Sequence, residues 1–396
     1  MFGGEDLARL YRPYKGSSVR RTRFFIILFA VLLIAAVIYI AANPEVLAFE
    51  WVGDLFSFAG SAPTVSHAPV SPSLIISTPT PTASVVPPSP SDTVRAPEHQ
   101  KAVFISDITD TTAVNGAVQL AKDVRINTVV IDMKPDSGKL GFRSSLTAAI
   151  AANVNPDSDD YLTSLNLLTN EDLFLVARIS VFKDASVPKE IMSYSVKTAN
   201  GVVWYGYDSN TDRWMNPYSQ EVFDYTTSLC SELLELGFDE IILDNFSFPT
   251  LGQTHLLYFP EESSISKEAV LHSFAADLST SIASAGGVCS FVYNYADFVA
   301  WQTSDDFNLV SSLQENDHAP NKLYIMFDNT DLPEKVHNST VFEQISTEII
   351  ACVPPDSMYN DPAAADKIEM YISLFDSEDY LSGYTFWDSS GYYPSW

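Results

Sequence analysis

Along residues 99–396 short apolar runs alternate with longer stretches of amphipathic, helical spacing. The β-branched or aromatic runs are AVFI at 102–105, TVVIDM at 128–133, LFLVARI at 173–179, EIILD at 240–244, VCSFVY at 288–293 and LVSSL at 309–313. LYIMF at 323–327 or EIIACV at 348–353 follows as the seventh, and GYTFW at 383–387 closes the set. Between them VNGAVQLAKDVR, the segment opened by Asn216 and Pro217 that ends at Gly237, and SKEAVLHSFAADLSTSIASAGG show the spacing and the Pro-first or Gly-last punctuation of helices. Continuously apolar strands separated by crossover helices predict an α/β fold of the (β/α)₈ TIM-barrel type. A doubly wound open sheet is the runner-up. The segment after the first run, FISDITDTTAVNG, lacks the G-x-G-x-x-G loop that such a sheet would use for phosphates.

The pattern ahead of residue 99 is different in kind. Phe24 to Ala42 runs without charge, Pro or Gly, close to the ~20 residues that cross a bilayer as a helix. Before it, residues 1–23 hold Arg9, Arg12, Lys15, Arg20, Arg21 and Arg23 against Glu5 and Asp6. After it no Lys or Arg occurs until Arg95. The positive-inside rule then gives a basic cytoplasmic tail at 1–23, a transmembrane helix at 24–42 and an extracytoplasmic remainder, a single-pass protein of the cell membrane. A cleaved signal peptide is the competing reading, but its apolar region is normally ~7–15 residues and no small-x-small site precedes Asn43 and Pro44. Residues 43–98 are the extracytoplasmic linker, whose composition turns from about Gly60 to Glu98 to Pro, Ser, Thr, Ala and Val, which predicts a disordered, semi-extended spacer rather than a helix or a sheet.

Charge narrows the partners. The whole chain has a net charge of −28, and an anionic surface of that size argues against nucleic acid or any other polyanion. Neutral or cationic substrates stay open. Cys230, Cys289 and Cys352 are too few and too dispersed for a disulfide framework or a metal cluster and read as small buried hydrophobes. The six histidines show no ligand spacing, so no metal and no cofactor is expected. Nor is there a G-x-S-x-G elbow, a Cys-His protease context or a Walker loop.

A barrel does its chemistry at the carboxyl ends of its strands, so the polar residues directly after each apolar run are the candidates. They are Asp132 and Lys134, then Arg178 with Lys183 and Asp184, then Asp244 and Asn245, Tyr293 and Asn294, Glu315, and finally Trp387 and Asp388. Acids interleaved with Trp, Tyr and Asn describe a carbohydrate site, in which aromatic faces stack on sugars, amides read hydroxyls and carboxylates move protons. Structural readings stand beside the functional ones. Asp132 and Lys134 could be a rim ion pair, Arg178 could merely neutralise neighbouring acids, and Trp204 and Trp214 could be packing. Asp244 favours function, because an acid at the end of a buried strand is costly unless hydrogen-bonded or at work.

Four stretches, NTVVIDMKPDSGKLGFRSS, LFLVARISVFKD, RWMNPYSQEVFDY and LGFDEIILDNFSFP, occur in an order and spacing that resembles the bacterial putative glycoside hydrolase family, whose members are membrane-anchored or secreted TIM-barrel proteins of the glycosidase group. The resemblance implies a glycan substrate and a site containing Asp132, Lys134, Arg178, Lys183, Asp184, Trp214, Asn216 and Asp244. It gives Asp244 the place of a carboxylate nucleophile. On the two-carboxyl chemistry of glycoside hydrolysis the second carboxyl would then be Asp132 on the neighbouring strand, or Glu315, Asp317 or Asp388 from further round. Two departures are visible: Asn245 and Ser247 stand where relatives have Tyr and Arg, and Phe291 stands where relatives place an acid on the fifth strand. The expected function is a membrane-tethered glycoside hydrolase acting on a cell-surface or extracellular polysaccharide. The alternative is an inactive carbohydrate-binding envelope protein on the same barrel.

Overall fold

The computed structural model describes residues 96–303, 309–310, 313, 320–328, 331–338, 340, 342, 345–353 and 364–387. The expected basic tail, membrane helix and nearly all of the spacer lie outside the described residues. Among the described residues no helix is long and apolar enough to cross a membrane.

Among the described residues there are ten strands: β1 (Gln100–Ile105), β2 (Thr128–Lys134), β3 (Phe174–Ser180), β4 (Lys197–Thr198), β5 (Glu240–Asp244), β6 (Leu257–Tyr258), β7 (Val288–Asn294), β8 (Lys322–Met326), β9 (Glu348–Val353) and β10 (Leu381–Phe386). Eight of them close into a barrel in the order β1-β10-β9-β8-β7-β5-β3-β2, every ladder parallel. The remaining pair, β4 and β6, forms a small antiparallel clip between two loops. Helices α1 (Thr111–Lys122), α2 (Asp160–Thr169), α3 (Gln220–Glu235), α4 (Lys267–Ser284), α5 (Tyr295–Thr303), α6 (Leu332–His337) and α7 (Ala364–Asp376) return the chain between strands. The expected TIM-type barrel is therefore the observed fold.

The two-residue period of the strands sorts the core into two layers. Ala102, Phe104, Val130, Phe174, Val176, Ile242, Tyr324, Ile350 and Cys352 pack on one another inside the barrel. Their neighbours Val103, Val129, Leu175, Ile241 and Leu323 face outward and join the helices in the larger core. At the amino-terminal end of the interior a buried polar knot takes over: Lys322 Nζ donates to Gln100 Oε1 at 2.9 Å and to Glu240 Oε2 at 2.8 Å, and stands 4.9 Å above the Phe174 ring. Closure between β1 and β10 relies on Gly383. A Cβ there would come within 2.2 Å of the Gln100 carbonyl oxygen.

Two expectations change. The run at 309–313 is not a strand; its described residues 309, 310 and 313 are helical. Leu309, Val310 and Leu313 are buried at the i, i+1, i+4 spacing of one helix face, and the run is too polar in its middle for a strand buried on both sides. The barrel instead uses both candidates for the seventh strand, as β8 and β9. Helix α3 begins at Gln220 rather than at Pro217, because Ser219 is the cap and Asn216 and Pro217 form the turn before it, with Asn216 Oδ1 accepting from the Tyr218 amide at 3.1 Å. All three cysteines are buried and unpaired with one another.

Candidate active site

Asp132, Arg178 and Asp244 continue the inward-facing series of β2, β3 and β5, so the same alternation that fills the barrel with apolar side chains delivers three charges at its carboxyl-terminal mouth. Asp132 is the register partner of Arg178, and Asp244 that of Ser180. Arg178 is the hub. Its Nε donates to Asp244 Oδ2 at 2.9 Å, its Nη1 to Asp132 Oδ1 and Oδ2 at 3.1 and 3.2 Å, and its Nη2 to Asp136 Oδ1 at 2.9 Å and also to Asp244 Oδ2. A planar guanidinium is suited to holding several carboxylates in one fixed geometry.

The three acids are not equivalent. Burial, aided by the nearby Asp244 and Asp136 charges and opposed by Arg178, pushes the Asp132 carboxyl up to about 6. Burial also works to raise Asp136, but Arg178 and Lys183 outweigh it and hold that carboxyl below the usual range. Asp244 has both oxygens engaged, Oδ2 by Arg178 and Oδ1 by the Asn245 amide at 2.6 Å, and its side chain is 25% exposed. Burial disfavours the Arg178 charge, yet the three carboxylates more than offset this and keep it protonated.

A rim of polar residues fixes this cluster. Asn245 adopts a left-handed backbone, φ 50°, a conformation Asn tolerates, and its Nδ2 donates to Asp136 Oδ1 and to Ser180 Oγ, both at 3.0 Å. Lys183 pairs with Asp136 Oδ2 at 3.0 Å. Behind them Lys134 and Asp184 form an ion pair at 2.8 Å that is closed to solvent, with side chains 2% and 0% exposed. Lys134 Nζ also donates to the Ser180 carbonyl, and Asp184 Oδ1 accepts from the amides of Ser186 and Val187. The rim ion pair of Lys134 with Asp132, one of the two readings open from the sequence, does not form; Lys134 pairs with Asp184 and lies beyond the register shift in β2. Lys134 and Asp184 therefore support the site from behind.

Other expected members are dispersed. Trp214 and Trp204 are buried in the outer core. Tyr293 is buried beside Phe291 and Phe298, while Asn294 is exposed and donates to Asp297 at 3.4 Å. Trp387 stacks on Phe104 inside the barrel, ring centres 4.3 Å apart. Glu315, Asp317 and Asp388 lie outside the described residues. Phe291, the register partner of Leu243, faces outward, edge-on to Phe246, and the next residue, Val292, packs on the inner cluster. Two participants were not singled out from the sequence: Ser180, which is an unremarkable strand end, and Asp136, which sits in the same motif as Asp132 and Lys134 and could have been found by taking every acid of that motif.

A cleft of about 380 Å³ opens on the same face, between the loop after β3 and the loop after β5. It is lined by residues that include Lys197, Asn216, Tyr218, Glu221, Tyr258 and Glu261, and none of Asp132, Arg178 or Asp244 is among its walls. Among the described residues no group of His, Cys, Asp and Glu has the arrangement of a metal site.

Residues 102–306, just over half of the chain, match the family described as putative glycosyl hydrolase domain. The chain belongs to that family. The matched region of this glycosyl hydrolase domain contains the whole Arg178 cluster and the cleft, whereas Glu315, Trp387 and Asp388 fall beyond it. Among solved structures, a hypothetical protein from Ruminiclostridium thermocellum is 24% identical over 48% of this chain and 95% of its own, with a TM-score of 0.43. The PgaB (BpsB) glycoside hydrolase domain from Bordetella bronchiseptica is 10% identical over 73% of this chain and 94% of its own, with a TM-score of 0.51, a likeness of fold. The PelA glycoside hydrolase domain from Pseudomonas aeruginosa is 12% identical over 74% and 96%, with a TM-score of 0.43. No curated protein matches the chain.

Proposed function

We propose that this glycosyl hydrolase domain is a glycosidase that cleaves a cell-surface or extracellular polysaccharide, tethered to the membrane by Phe24–Ala42 with its barrel outside the cell. The observation that supports the chemistry is the sharing of Arg178 by Asp132 and Asp244. One carboxyl, Asp132, keeps its proton to about pH 6 and suits the general acid that protonates the leaving oxygen. The other, Asp244, is oriented at both oxygens and suits the nucleophile or base. Both carboxylates accept from the one guanidinium, which holds them at a common mouth, as two-carboxylate hydrolysis requires. The tether rests on the apolar stretch behind a basic tail.

The test is release of reducing ends from a panel of neutral and amine-bearing polysaccharides by the full chain and by Asp244→Asn. Loss of release in a variant with an unchanged melting temperature is expected; turnover equal to the parent's would remove Asp244 from the chemistry. Protease added to intact cells should digest the barrel and spare the amino-terminal tail. Protection of the barrel would place it on the other side of the membrane.

A second reading, a glycan-binding protein without turnover, is favoured by Val292, an aliphatic side chain that packs on the inner apolar cluster from β7, one residue beyond the Leu243–Phe291 register pair, where an acid could have stood. Glycan binding by the parent with no reducing ends from any substrate would select it.

A further inference from the structure

The cleft between the two loops has no part in the acid–base chemistry, yet it is built by the elements that carry it. The loop at 181–219 leaves β3 just after Arg178, the loop at 245–266 leaves β5 just after Asp244, and the β4–β6 ladder clips them together through Lys197–Tyr258 and Thr198–Leu257. A continuous arm connects the two places. Lys183, whose ammonium rests on Asp136, bridges to Trp214, and Asn216 in the cleft wall lies two residues further, roughly 7 Å along an extended arm.

Its walls combine aromatic surface with hydrogen-bonding groups. Tyr258 is 50% exposed, and Tyr218 is pinned by its hydroxyl, which donates to the Ile265 carbonyl at 2.9 Å, and by Phe248 and Phe259. Lys197, Asn216, Glu221 and Glu261 offer donors and acceptors. Glu221 is held ionised below its usual range, chiefly by the Ser219 hydroxyl at 2.7 Å. A volume of about 380 Å³ falls within the ~300–1,000 Å³ of small-ligand sites. Two carboxylates against one ammonium, on a chain of net charge −28, disfavour an acidic ligand.

We propose that this cleft is a distal subsite for sugar units without acidic groups, engaging the same polysaccharide chain whose bond is cut at Asp244. It rests on the glycosidase reading and adds to it that the protein grips a chain over several units rather than recognising a terminal sugar alone.

The experiment uses the full chain in detergent with Asp244→Asn, so that binding is read without turnover. Three hexasaccharide probes are titrated: a neutral N-acetylglucosamine hexamer, its fully deacetylated cationic form, and a galacturonic acid hexamer. The neutral or the cationic hexamer should bind, the acidic one should not, and adding Tyr258→Ala should weaken binding about tenfold while a disaccharide's affinity is unchanged. Glu261→Gln provides a second variant should Tyr258→Ala melt early, and it should weaken the cationic hexamer most. Preference for the acidic hexamer, no binding of any hexamer, or parent-like affinity in both variants would overturn the subsite. The outcomes for the two readings stay separate: hexamer binding that depends on Tyr258, with no hydrolysis by the unmutated protein, removes the glycosidase and leaves the cleft.

Discussion

Asp132 and Asp244, on strands separated by β3, are joined by one guanidinium: Arg178 Nη1 donates to Asp132 at 3.1 Å and Nε to Asp244 at 2.9 Å. The strand between them thus supplies both the spacing and the charge that keeps two acids at one mouth. Like charges this close would otherwise drive one of them to take up a proton outright. With Arg178 present Asp244 is oriented as an acceptor, and Asp132 stays protonated only up to about pH 6.

Hydrolysis should therefore fall as the pH rises through about 6, as Asp132 loses the proton it donates. Asp132→Asn should lower kcat by roughly 10²–10⁴-fold for substrates with poor leaving groups and much less for activated aryl glycosides, which need no protonation. A pH–rate profile on both substrate types checks this. An alkaline limb that survives in Asp132→Asn would assign it elsewhere.

The same group makes a stability prediction of definite sign. Asp132 holds its proton more tightly folded than unfolded, so its contribution is complete below about pH 4 and is lost as the pH rises through about 6, at most about 3 kcal/mol. Asp239, raised to about 6 mainly by burial, acts in the same direction. Chemical denaturation at pH 4 and pH 7 should show a smaller drop for Asp132→Asn than for the parent, the difference isolating Asp132 from Asp239.

Lys134→Met should cost about 3–5 kcal/mol, because it leaves Asp184 enclosed and without its cation. Adding Asp184→Leu should restore much of the loss. Gly138→Ala should destabilise by the same route, since its Cβ would sit 2.1 Å from Asp184 Oδ1 at a backbone φ of +77°. Melting temperatures of the three variants decide it, and a parent-like Gly138→Ala would mean that the Asp184 carboxylate can move aside.

At the opposite end of the barrel Lys322→Met should also cost about 3–5 kcal/mol by stranding Glu240, whose side chain is 0% exposed. Its pH–rate profile should match the parent's, as this knot lies beneath the inner apolar layers and apart from the mouth. A shifted profile would show the two ends of the interior to be coupled.

How far each of these features could be read in advance depended on its range along the chain. Strand β5 was legible to the residue because EIILD carries an unbroken apolar centre, Ile241 to Leu243, and ends in an acid. The run at 309–313 misled because five residues with three apolar members fit a strand and a helix turn alike, and only the neighbours choose. Arg178 was visible as a candidate with two open roles, and its three simultaneous carboxylates are a product of register. The pairing of Lys134 with Asp184 instead of Asp132 follows from a local shift in β2 that no spacing rule anticipates. Whether Trp214 is a sugar platform or packing stayed open in the sequence, because composition does not say which way an indole points; Trp214 is buried in the outer core and Trp387 stacks on Phe104.

By itself the sequence determined the alternation of buried strands and crossover helices, the acids at the strand ends and the excess of negative charge, since these are set by periodicity and residue type within a few turns of chain. Only the tertiary structure decided which acids meet, which cation they share and which aromatic rings remain accessible. Those depend on ladder register and barrel closure, which bring together side chains as far apart as Asp132 and Asp244 and are invisible to any local pattern.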